Sequence, residues 1–174
     1  VLVHTRLHWC KNTDTVIRGF ALYLGKDPNA TLDIVGVGPE ASALKELVED
    51  LGLQESARFH GYLAEAELER IYAHCDVLAF LPMDEPFGMV FPEAAARGLM
   101  LIGPDHGGPL EILDGGKLGE VIHPLAPQAL CEALERVAAM GTAEVDRRRI
   151  QADRACRDRY DRLRVGRQLE AALV

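Results

Sequence analysis

Short apolar runs alternate along this chain with segments whose apolar residues recur at helical spacing. Parallel strands need a crossover connection, which is usually a helix, so strict alternation predicts an α/β fold with right-handed crossovers. We expect a Rossmann-like, three-layer α/β/α lobe with a parallel sheet of about six strands. The predicted strands are 1–4, 31–35, 57–60, 76–81, 100–103 and 120–123, and the predicted helices are 14–24, 44–51, 65–73, 90–97, 110–113 and 126–139.

The chain has 174 residues, the size of one domain or of one lobe of a larger protein. We expect a single unit over residues 1–174. Residues 143–174 are rich in Arg and Asp and predict a C-terminal helical tail of one or two helices that cover an edge of the sheet. The first residues already form a predicted strand and lack Met, so we interpret the chain as a fragment.

Charge and motifs exclude several classes of function. A net charge of −8 argues against a nucleic-acid surface. The sequence contains no Asp-x-Asp pair, HExxH, GxSxG or Walker loop. The four cysteines are widely spaced, which predicts unpaired thiols in a reducing compartment and hence a cytoplasmic location. The apolar runs are too short to span a membrane.

Two carboxylates, Glu85 and Glu93, bracket a turn containing Gly88, directly after the predicted strand 76–81 and at a probable helix start. Ligands of open α/β sheets bind at the carboxyl ends of the strands. Helix-start amides suit an anion and carboxylates accept from hydroxyls, so a sugar nucleotide fits both. The alternative is two surface carboxylates, with Glu93 merely favouring the helix dipole.

Two cations lie in the loop after the first predicted strand, Arg6 and Lys11. This loop also leaves the carboxyl end of a strand, so it can face the loop that carries Glu85. Two cations at a departing diphosphate would stabilise charge that grows in the transition state. Solvated surface cations are the alternative.

The motif Glu85-Pro86-Phe87-Gly88 with Glu93-Ala94, followed by Gly98 and by Gly107-Gly108 with Glu111, resembles the signature of family-4 retaining glycosyltransferases (glycosyl transferases group 1). Those enzymes have two Rossmann-like lobes, the GT-B architecture, and the signature belongs to the C-terminal, donor-binding lobe. The segment from Arg6 to Lys11 resembles the family's Gly-Arg-Leu…Lys-Gly segment, with Thr5 and Asn12 in place of the usual glycines.

The resemblance implies a donor-binding lobe of an enzyme that transfers a hexosyl group, with retention, from a UDP- or GDP-linked sugar. It implies no metal and no cofactor. A glycan, lipid or small-molecule acceptor would bind the other lobe, and the fragment alone would show little transfer. The implied catalytic residues are Arg6, Lys11 and Glu85. The implied donor-binding residues are Gly38, Tyr62, Leu63, Phe87, Gly88, Met89, Val90 and Glu93.

Individual roles follow from the same resemblance. Glu93 would accept from the ribose hydroxyls, and Glu85 would hold a hydroxyl of the donor sugar. The amides of residues 88–90 would line the phosphates and sugar, and Tyr62 and Leu63 would lie near the base.

Three alternatives stay open. Residues 36–41 partly match the dinucleotide fingerprint, which would indicate a NAD-binding domain. An epimerase lobe acting on sugar nucleotides and a non-catalytic nucleotide-sugar-binding module are the others. The resemblance to family-4 glycosyltransferases also implies peripheral membrane association of the full-length protein as an alternative to a purely cytoplasmic location.

Overall fold

The computed structural model describes residues 1–160, which form a six-stranded, entirely parallel sheet. The strand order is β3-β2-β1-β4-β5-β6. The strands are β1 Leu2–His4, β2 Leu32–Val35, β3 Ala57–Gly61, β4 Val77–Ala79, β5 Met100–Pro104 and β6 Glu120–Ile122. The predicted α/β class, the parallel sheet and the number of strands are confirmed.

Seven helices connect and cover the strands within the described range. They are α1 Thr13–Leu24, α2 Ala41–Asp50, α3 Glu65–His74, α4 Val90–Ala96, α5 Gly107–Ile112, α6 Pro127–Ala138 and α7 Thr142–Tyr160. Two 3₁₀ turns, Trp9–Lys11 and Asp114–Gly116, precede α1 and β6. The 3₁₀ turn before α1 is absent from the sequence-based prediction, because three residues carry no periodic signal.

A separate apolar core lies on each face of the sheet. On one face, Val16, Ile17 and Phe20 of α1 pack with buried residues of α2 and α6. Helices α1 and α6 approach closely at Gly19, where a Cβ would come within 2.8 Å of the Leu130 side chain. The other face is covered by buried residues of α3, α4, α5 and α7. The three layers of the predicted lobe are therefore present.

Helix α7 corrects the prediction that the tail covers an edge of the sheet. The chain crosses from α6 on one face to α7 on the other, where Ala152 and Cys156 are buried against the second core. The helix does reach the edge strand through Arg148, which donates to Glu120 of β6 at 3.1 Å. Because α7 has few apolar residues, ion pairs provide part of its attachment to the sheet. The predicted tail from residue 161 onward lies outside the described residues.

The strand order reverses direction between β1 and β4, which are neighbours although they are far apart in sequence. The connection after β1 and the connection after β4 therefore diverge to opposite faces of the sheet. They leave a crevice at the carboxyl ends of these two strands, where ligands of open α/β sheets bind. Lys11 follows β1 and Glu85 follows β4.

Asn12 joins three segments at this edge. It is 4% exposed and has φ 56° and ψ 38°, the left-handed conformation that Asn tolerates better than other non-glycine residues. Its Nδ2 donates to the carbonyls of Leu81 at 2.9 Å and Pro124 at 2.6 Å, and its Oδ1 accepts from Thr15 Oγ1 at 2.9 Å. Asn12 thus adopts a backbone conformation that favours Gly, and its side chain adds buried hydrogen bonds.

Replacing Asn12 by Gly should therefore lower the free energy of unfolding although Gly adopts this backbone conformation freely. Two buried carbonyls would lose their donor, at a cost of about 2–3 kcal/mol. Urea unfolding of the two proteins measures the difference. Asn29→Gly, the same change at an exposed turn residue, is the matched control. An equal loss of unfolding free energy in Asn12→Gly and Asn29→Gly would contradict the stabilising role of the Asn12 hydrogen bonds.

Candidate functional site

An ion pair connects the two loops at the crevice. Lys11 Nζ donates to Glu85 Oε2 at 2.8 Å, and both side chains are largely shielded from solvent. The loops also share a backbone hydrogen bond, from Met83 N–H to the Cys10 carbonyl at 2.8 Å. The expectation that the loop after the first strand faces the loop carrying Glu85 is confirmed.

Glu85 is also held by its own loop. Its Oε1 accepts from the N–H groups of Phe87 and Gly88, both at 3.2 Å. Burial acts to raise the pKa of the Glu85 carboxyl, but the hydrogen bonds from Lys11, Phe87 and Gly88 outweigh it. The pKa therefore lies below its ordinary value of 4.5. Gly88 has φ 74°, which strongly favours glycine, and a Cβ there would come within 3.1 Å of Pro109 and 3.2 Å of Phe91.

Two glycines at the start of α5 fix the turn that carries Glu85. Gly108 N–H donates to the Glu85 carbonyl at 3.1 Å, and a Cβ on Gly108 would come within 2.0 Å of the Pro86 carbonyl oxygen. Gly107 has φ 68° and also lies against the Glu85 carbonyl. The Gly-Gly segment therefore packs closely against the Glu85 loop.

His106, which precedes these glycines, connects the loop after β5 to the loop after β4. Its Nε2 lies 3.0 Å from the Met83 carbonyl and its Nδ1 lies 3.1 Å from Asp105 Oδ1. The Asp105 carboxylate first, and then the Met83 carbonyl, raise the pKa of His106. Both acceptors favour the doubly protonated ring, so this connection weakens as the pH rises through the raised pKa.

Arg6 and Gly38 line a common depression of about 410 Å³ over the ends of β1 and β2. The Arg6 side chain is exposed and forms no hydrogen bond or ion pair with residues 1–160. Gly38 packs against the loop that carries Arg6, because a Cβ there would lie 2.0 Å from the Leu7 carbonyl oxygen. Arg6 is thus free to contact a ligand, whereas Gly38 mainly supports the loop.

Glu93 and Met89 line a second depression, of about 280 Å³, between α4 and α7. Arg6 and Glu93 therefore line different depressions, although the charge of Glu93 acts on His4, which lines the depression with Arg6. The Glu93 side chain is exposed and has no hydrogen bond or ion pair among the described residues.

The backbone amides of residues 88–90, predicted to line the phosphates and sugar, differ in whether they are already hydrogen-bonded. Gly88 N–H is engaged by Glu85. Those of Met89 and Val90 form no hydrogen bond with the part of the chain that the structure describes. Two amides at the start of α4 are therefore available to an anion.

A polar cluster behind Glu93 escaped the sequence analysis. Arg97 donates to the Glu93 carbonyl at 2.9 Å, pairs with Glu69 and stacks over the Tyr72 ring at 4.7 Å. Tyr72 Oη lies 2.8 Å from His4 Nδ1. Burial lowers the pKa of His4, and the charge of Glu93 opposes that effect. The only sequence signal was an Arg one helical turn after Glu93.

The loop after β3 follows an edge strand of the sheet, whereas the ion pair lies at the two central strands. Tyr62 is 84% exposed and Leu63 packs against the core, and β3 is the outer strand two positions from β1. At about 4.8 Å per strand, only an elongated ligand could reach from Tyr62 to the crevice. His60 Nε2 lies 2.7 Å from Asp33 Oδ1 of the neighbouring strand.

Large apolar side chains are exposed around the carboxyl edge of the sheet. Phe87, for example, is 73% exposed. The set follows five of the six strands and comprises Trp9, Val37, Tyr62, Met83, Phe87, Met89 and Leu125. Apolar surface concentrated on one rim is typical of a ligand or protein interface.

The glycines of the dinucleotide fingerprint at 36–41 pack against protein backbone. A Cβ on Gly36 would lie 1.8 Å from the Thr5 carbonyl oxygen, and Gly38 lies against Leu7 in the same way. The glycines bring two protein loops together, so the close approach needed for a pyrophosphate is taken up by backbone. This argues against the NAD-binding alternative.

Comparison with known proteins decides the family. The family model described as Glycosyl transferases group 1 matches residues 1–155. The chain belongs to this family. Mannosylfructose-phosphate synthase of Agrobacterium fabrum is 34% identical over 126 residues, which cover 67% of the chain and 28% of that protein. A GDP-mannose-dependent mannosyltransferase of Mycobacterium tuberculosis acting on phosphatidylinositol monomannoside is 31% identical, with coverage of 82% and 41%.

Solved structures agree with the sequence relatives. HepE of Anabaena, crystallised with UDP and glucose, superposes with a TM-score of 0.87 at 25% identity over 99% of this chain and 47% of HepE. Sucrose-phosphate synthase of Thermosynechococcus elongatus superposes with a TM-score of 0.82 at 25% identity, covering 98% of this chain and 45% of that chain. This glycosyltransferase-family chain has the Rossmann-like fold of GT-B lobes and spans less than half of each of these relatives.

Further properties of this family member bear on the earlier predictions. All four cysteines are free thiols, as predicted. Within residues 1–160 no three His, Cys, Asp or Glu side chains are grouped to hold a metal ion. None of the described helices has the length and apolarity to cross a bilayer. The expectations of a cytoplasmic location and of metal independence stay predictions.

The lowered pKa of Glu85 makes its contribution to stability pH-dependent. The contribution is complete above the ordinary pKa of 4.5 and is lost as the pH falls through the lower folded-state value. We expect Glu85→Gln to destabilise the chain at about pH 6.5 and to do so much less at about pH 3. Urea unfolding at both pH values measures this, with Glu132→Gln on the exposed face of α6 as baseline. A pH-independent deficit would contradict the ion-pair explanation.

Proposed function

We propose that this chain is the donor-binding lobe of a retaining glycosyltransferase that transfers a hexosyl group from a nucleoside-diphosphate sugar. The observation that carries the proposal is the Lys11–Glu85 ion pair at the strand-order reversal. It brings a cation and a carboxylate to the position where an open α/β sheet binds its ligand. Relatives named for GDP-mannose dependence and crystallised with UDP support the class of donor.

Lys11 would move from Glu85 to the diphosphate when the donor binds. In the chain as described, Glu85 holds Lys11 in the crevice and neutralises it. A doubly charged diphosphate competes with one carboxylate for this cation, and Arg6 can add a second contact. Release of Lys11 would leave Glu85 free to accept from a sugar hydroxyl. Binding of the donor and release of the Glu85 carboxylate from Lys11 are thus coupled.

Glu93 would recognise the ribose, because it is an exposed carboxylate with no side-chain hydrogen bond or ion pair among residues 1–160. Arg97 holds its helix through the Glu93 carbonyl and through Glu69. The free amides of Met89 and Val90 would accept phosphate oxygens. Tyr62, Leu63 and Phe87 would contact the base or sugar from the rim.

The finer assignments belong to the same proposal. Retention of the anomeric configuration, independence from metal and the choice between UDP and GDP rest on the resemblance of residues 85–94. The acceptor, whether glycan, lipid or small molecule, would bind a second lobe facing the apolar rim. Product anomer analysis and activity in the presence of a chelator, on the full-length protein, test these assignments.

Donor binding is tested with the chain itself. We expect UDP or GDP to bind, and Glu93→Gln to weaken the tighter of the two by about 1.5–3 kcal/mol through loss of a charge-assisted hydrogen bond. Isothermal titration calorimetry with UDP, GDP, ADP and NAD measures the affinities. Glu132→Gln is the matched control, because it is an exposed carboxylate on α6. Preference for NAD, or unchanged affinity in Glu93→Gln, would reject the ribose role.

The role of Lys11 requires the full-length protein. Lys11→Ala should lower kcat by about 10²–10³ and change the donor KM less, because the diphosphate gains charge in the transition state. Lys26→Ala is the control, since Lys26 is an exposed lysine beyond the opposite end of α1. Steady-state kinetics with a UDP- or GDP-sugar measures both. A kcat of the Lys11→Ala variant equal to that of the wild type would reject the proposed role of Lys11 at the diphosphate.

A further inference from the structure

His4 is the last residue of β1 and lies at the crevice, but it is not among the predicted site residues. Its backbone is fixed by pairing with Val35 of β2. Side chains alternate between the two faces of a strand, so His4 projects to the same face as Leu2, which packs in the second core with Tyr72 of α3. The imidazole therefore lies between this core and the carboxyl edge of the sheet.

Tyr72 determines which nitrogen of His4 carries the proton. Tyr72 is 1% exposed, and its Oη lies 2.8 Å from His4 Nδ1 and forms no other hydrogen bond with residues 1–160. Burial raises the pKa of Tyr72, so the phenol stays protonated. A buried O–H group needs an acceptor, and among the described residues only His4 Nδ1 is in reach. Nδ1 therefore accepts, and the neutral ring carries its proton on Nε2.

The surroundings of His4 keep its ring neutral. Burial has the largest effect and lowers the pKa of His4, whereas the charge of Glu93 raises it and that of Arg97 lowers it. Protonation would also put a hydrogen on Nδ1 and leave the Tyr72 hydroxyl without an acceptor. His4 is thus an uncharged donor whose N–H group has a fixed direction.

The proton on His4 Nε2 is available to a ligand. Nε2 forms no hydrogen bond with residues 1–160, and it is not enclosed away from solvent. His4 lines the depression of about 410 Å³ that contains Arg6 and Gly38. The unused N–H group therefore lies at the surface of this depression.

The side chains of this depression favour an anion. The lining residues are His4, Thr5, Arg6, Gly36, Val37 and Gly38. They supply one guanidinium, one imidazole N–H and one hydroxyl, but no carboxylate. The Arg6 guanidinium forms no ion pair with the described part of the chain. Donors that lack an acceptor suit the oxygen atoms of a phosphate group.

We propose that His4 donates a hydrogen bond from Nε2 to a diphosphate oxygen of the sugar nucleotide, and that Tyr72 is the positioning residue that holds the ring for this contact. The inference rests on the proposed function, because a nucleoside-diphosphate donor supplies the anion. His4 differs from Arg6 and Lys11 in adding no charge to the crevice. Its contribution is directional, since a ring held by Tyr72 can donate along one line only.

The proton position on His4 is measured by nuclear magnetic resonance. A long-range proton–nitrogen correlation spectrum of the isotope-labelled chain distinguishes protonated from unprotonated ring nitrogens. The sequence has six histidines, and the His4 signals are assigned by their loss in His4→Leu. We expect a protonated Nε2 and an unprotonated Nδ1 in the parent chain, and exchange between both tautomers in Tyr72→Phe. A protonated Nδ1 in the parent chain would overturn the proposal.

Ligands are titrated while the same His4 signals are followed. The probes are sodium pyrophosphate, the tighter-binding of UDP and GDP, and the matching nucleoside. We expect pyrophosphate and the nucleotide to shift the His4 Nε2 signal, and the nucleoside to leave it in place. His74, an exposed histidine at the end of α3, is the internal control. A signal that neither phosphate compound moves, or that the nucleoside moves as far as the nucleotide does, would reject the contact.

Variants at His4 connect the contact to affinity. His4→Leu should weaken nucleotide binding about tenfold, because a hydrogen bond to a charged oxygen is lost. His4→Gln should retain most of the affinity, because the Gln amide is also a neutral donor. His74→Leu is the matched control. Nucleotide affinity of His4→Leu equal to that of the parent chain would contradict the role of His4.

The role of Tyr72 is tested by a double-mutant cycle. Tyr72→Phe should weaken nucleotide binding about threefold, and the double variant with His4→Leu should bind as His4→Leu does, because Tyr72 acts through His4. The double variant removes both partners of the buried hydrogen bond, so it also guards against loss of the fold. Tyr23→Phe, at a buried tyrosine of the first core, is the control. Additive losses would reject Tyr72 as the positioning residue.

The same titrations separate this inference from the proposed function. A shift of the His4 signal by pyrophosphate, without binding of UDP or GDP, would uphold the diphosphate contact and reject the donor site. Nucleotide binding that leaves the His4 signals in place would reject the role of His4 alone.

Discussion

The buried side-chain amide of Asn12 is the interaction on which the carboxyl edge of the sheet depends. Its hydrogen bonds to the carbonyls of Leu81 and Pro124 hold the turn that carries Lys11 over the ends of β4 and β6. The Lys11–Glu85 pair exists because this turn is fixed. The glycines at 107 and 108 then fasten the Glu85 loop from the other side. Ligand-facing groups are thus placed by backbone contacts behind them.

Charge at the crevice is arranged in pairs although the whole chain is acidic. Lys11 is neutralised by Glu85 and Arg97 by Glu69, whereas Arg6 and Glu93 keep free ends. A ligand with a diphosphate and several hydroxyls can therefore exchange one existing pair and complete two unpaired groups. This arrangement limits the desolvation cost of holding cations and carboxylates close together.

The sequence predicted the sheet and the pairing of the first and fourth connections, because strand–helix alternation and loop position depend on local patterns. Asn12 was noted only as a departure from a family glycine, since neither its burial nor its three hydrogen bonds leaves a local signal. The cluster of His4, Tyr72 and Arg97 unites three elements distant in sequence. Engagement of the Gly88 amide by Glu85 and the separation of Arg6 from Glu93 likewise depend on tertiary geometry.

Helix α7 is attached differently from the rest of the fold. It buries few apolar side chains, and Arg148 holds it to Glu120 while its own Glu144 orients that arginine. Dissolved ions screen such contacts and leave apolar packing intact or strengthened. Rising ionic strength would therefore loosen this helix before it affects the sheet. Because α7 forms one wall of the depression beside Glu93, rising salt would change the shape of that depression as well as screen the Glu93 charge.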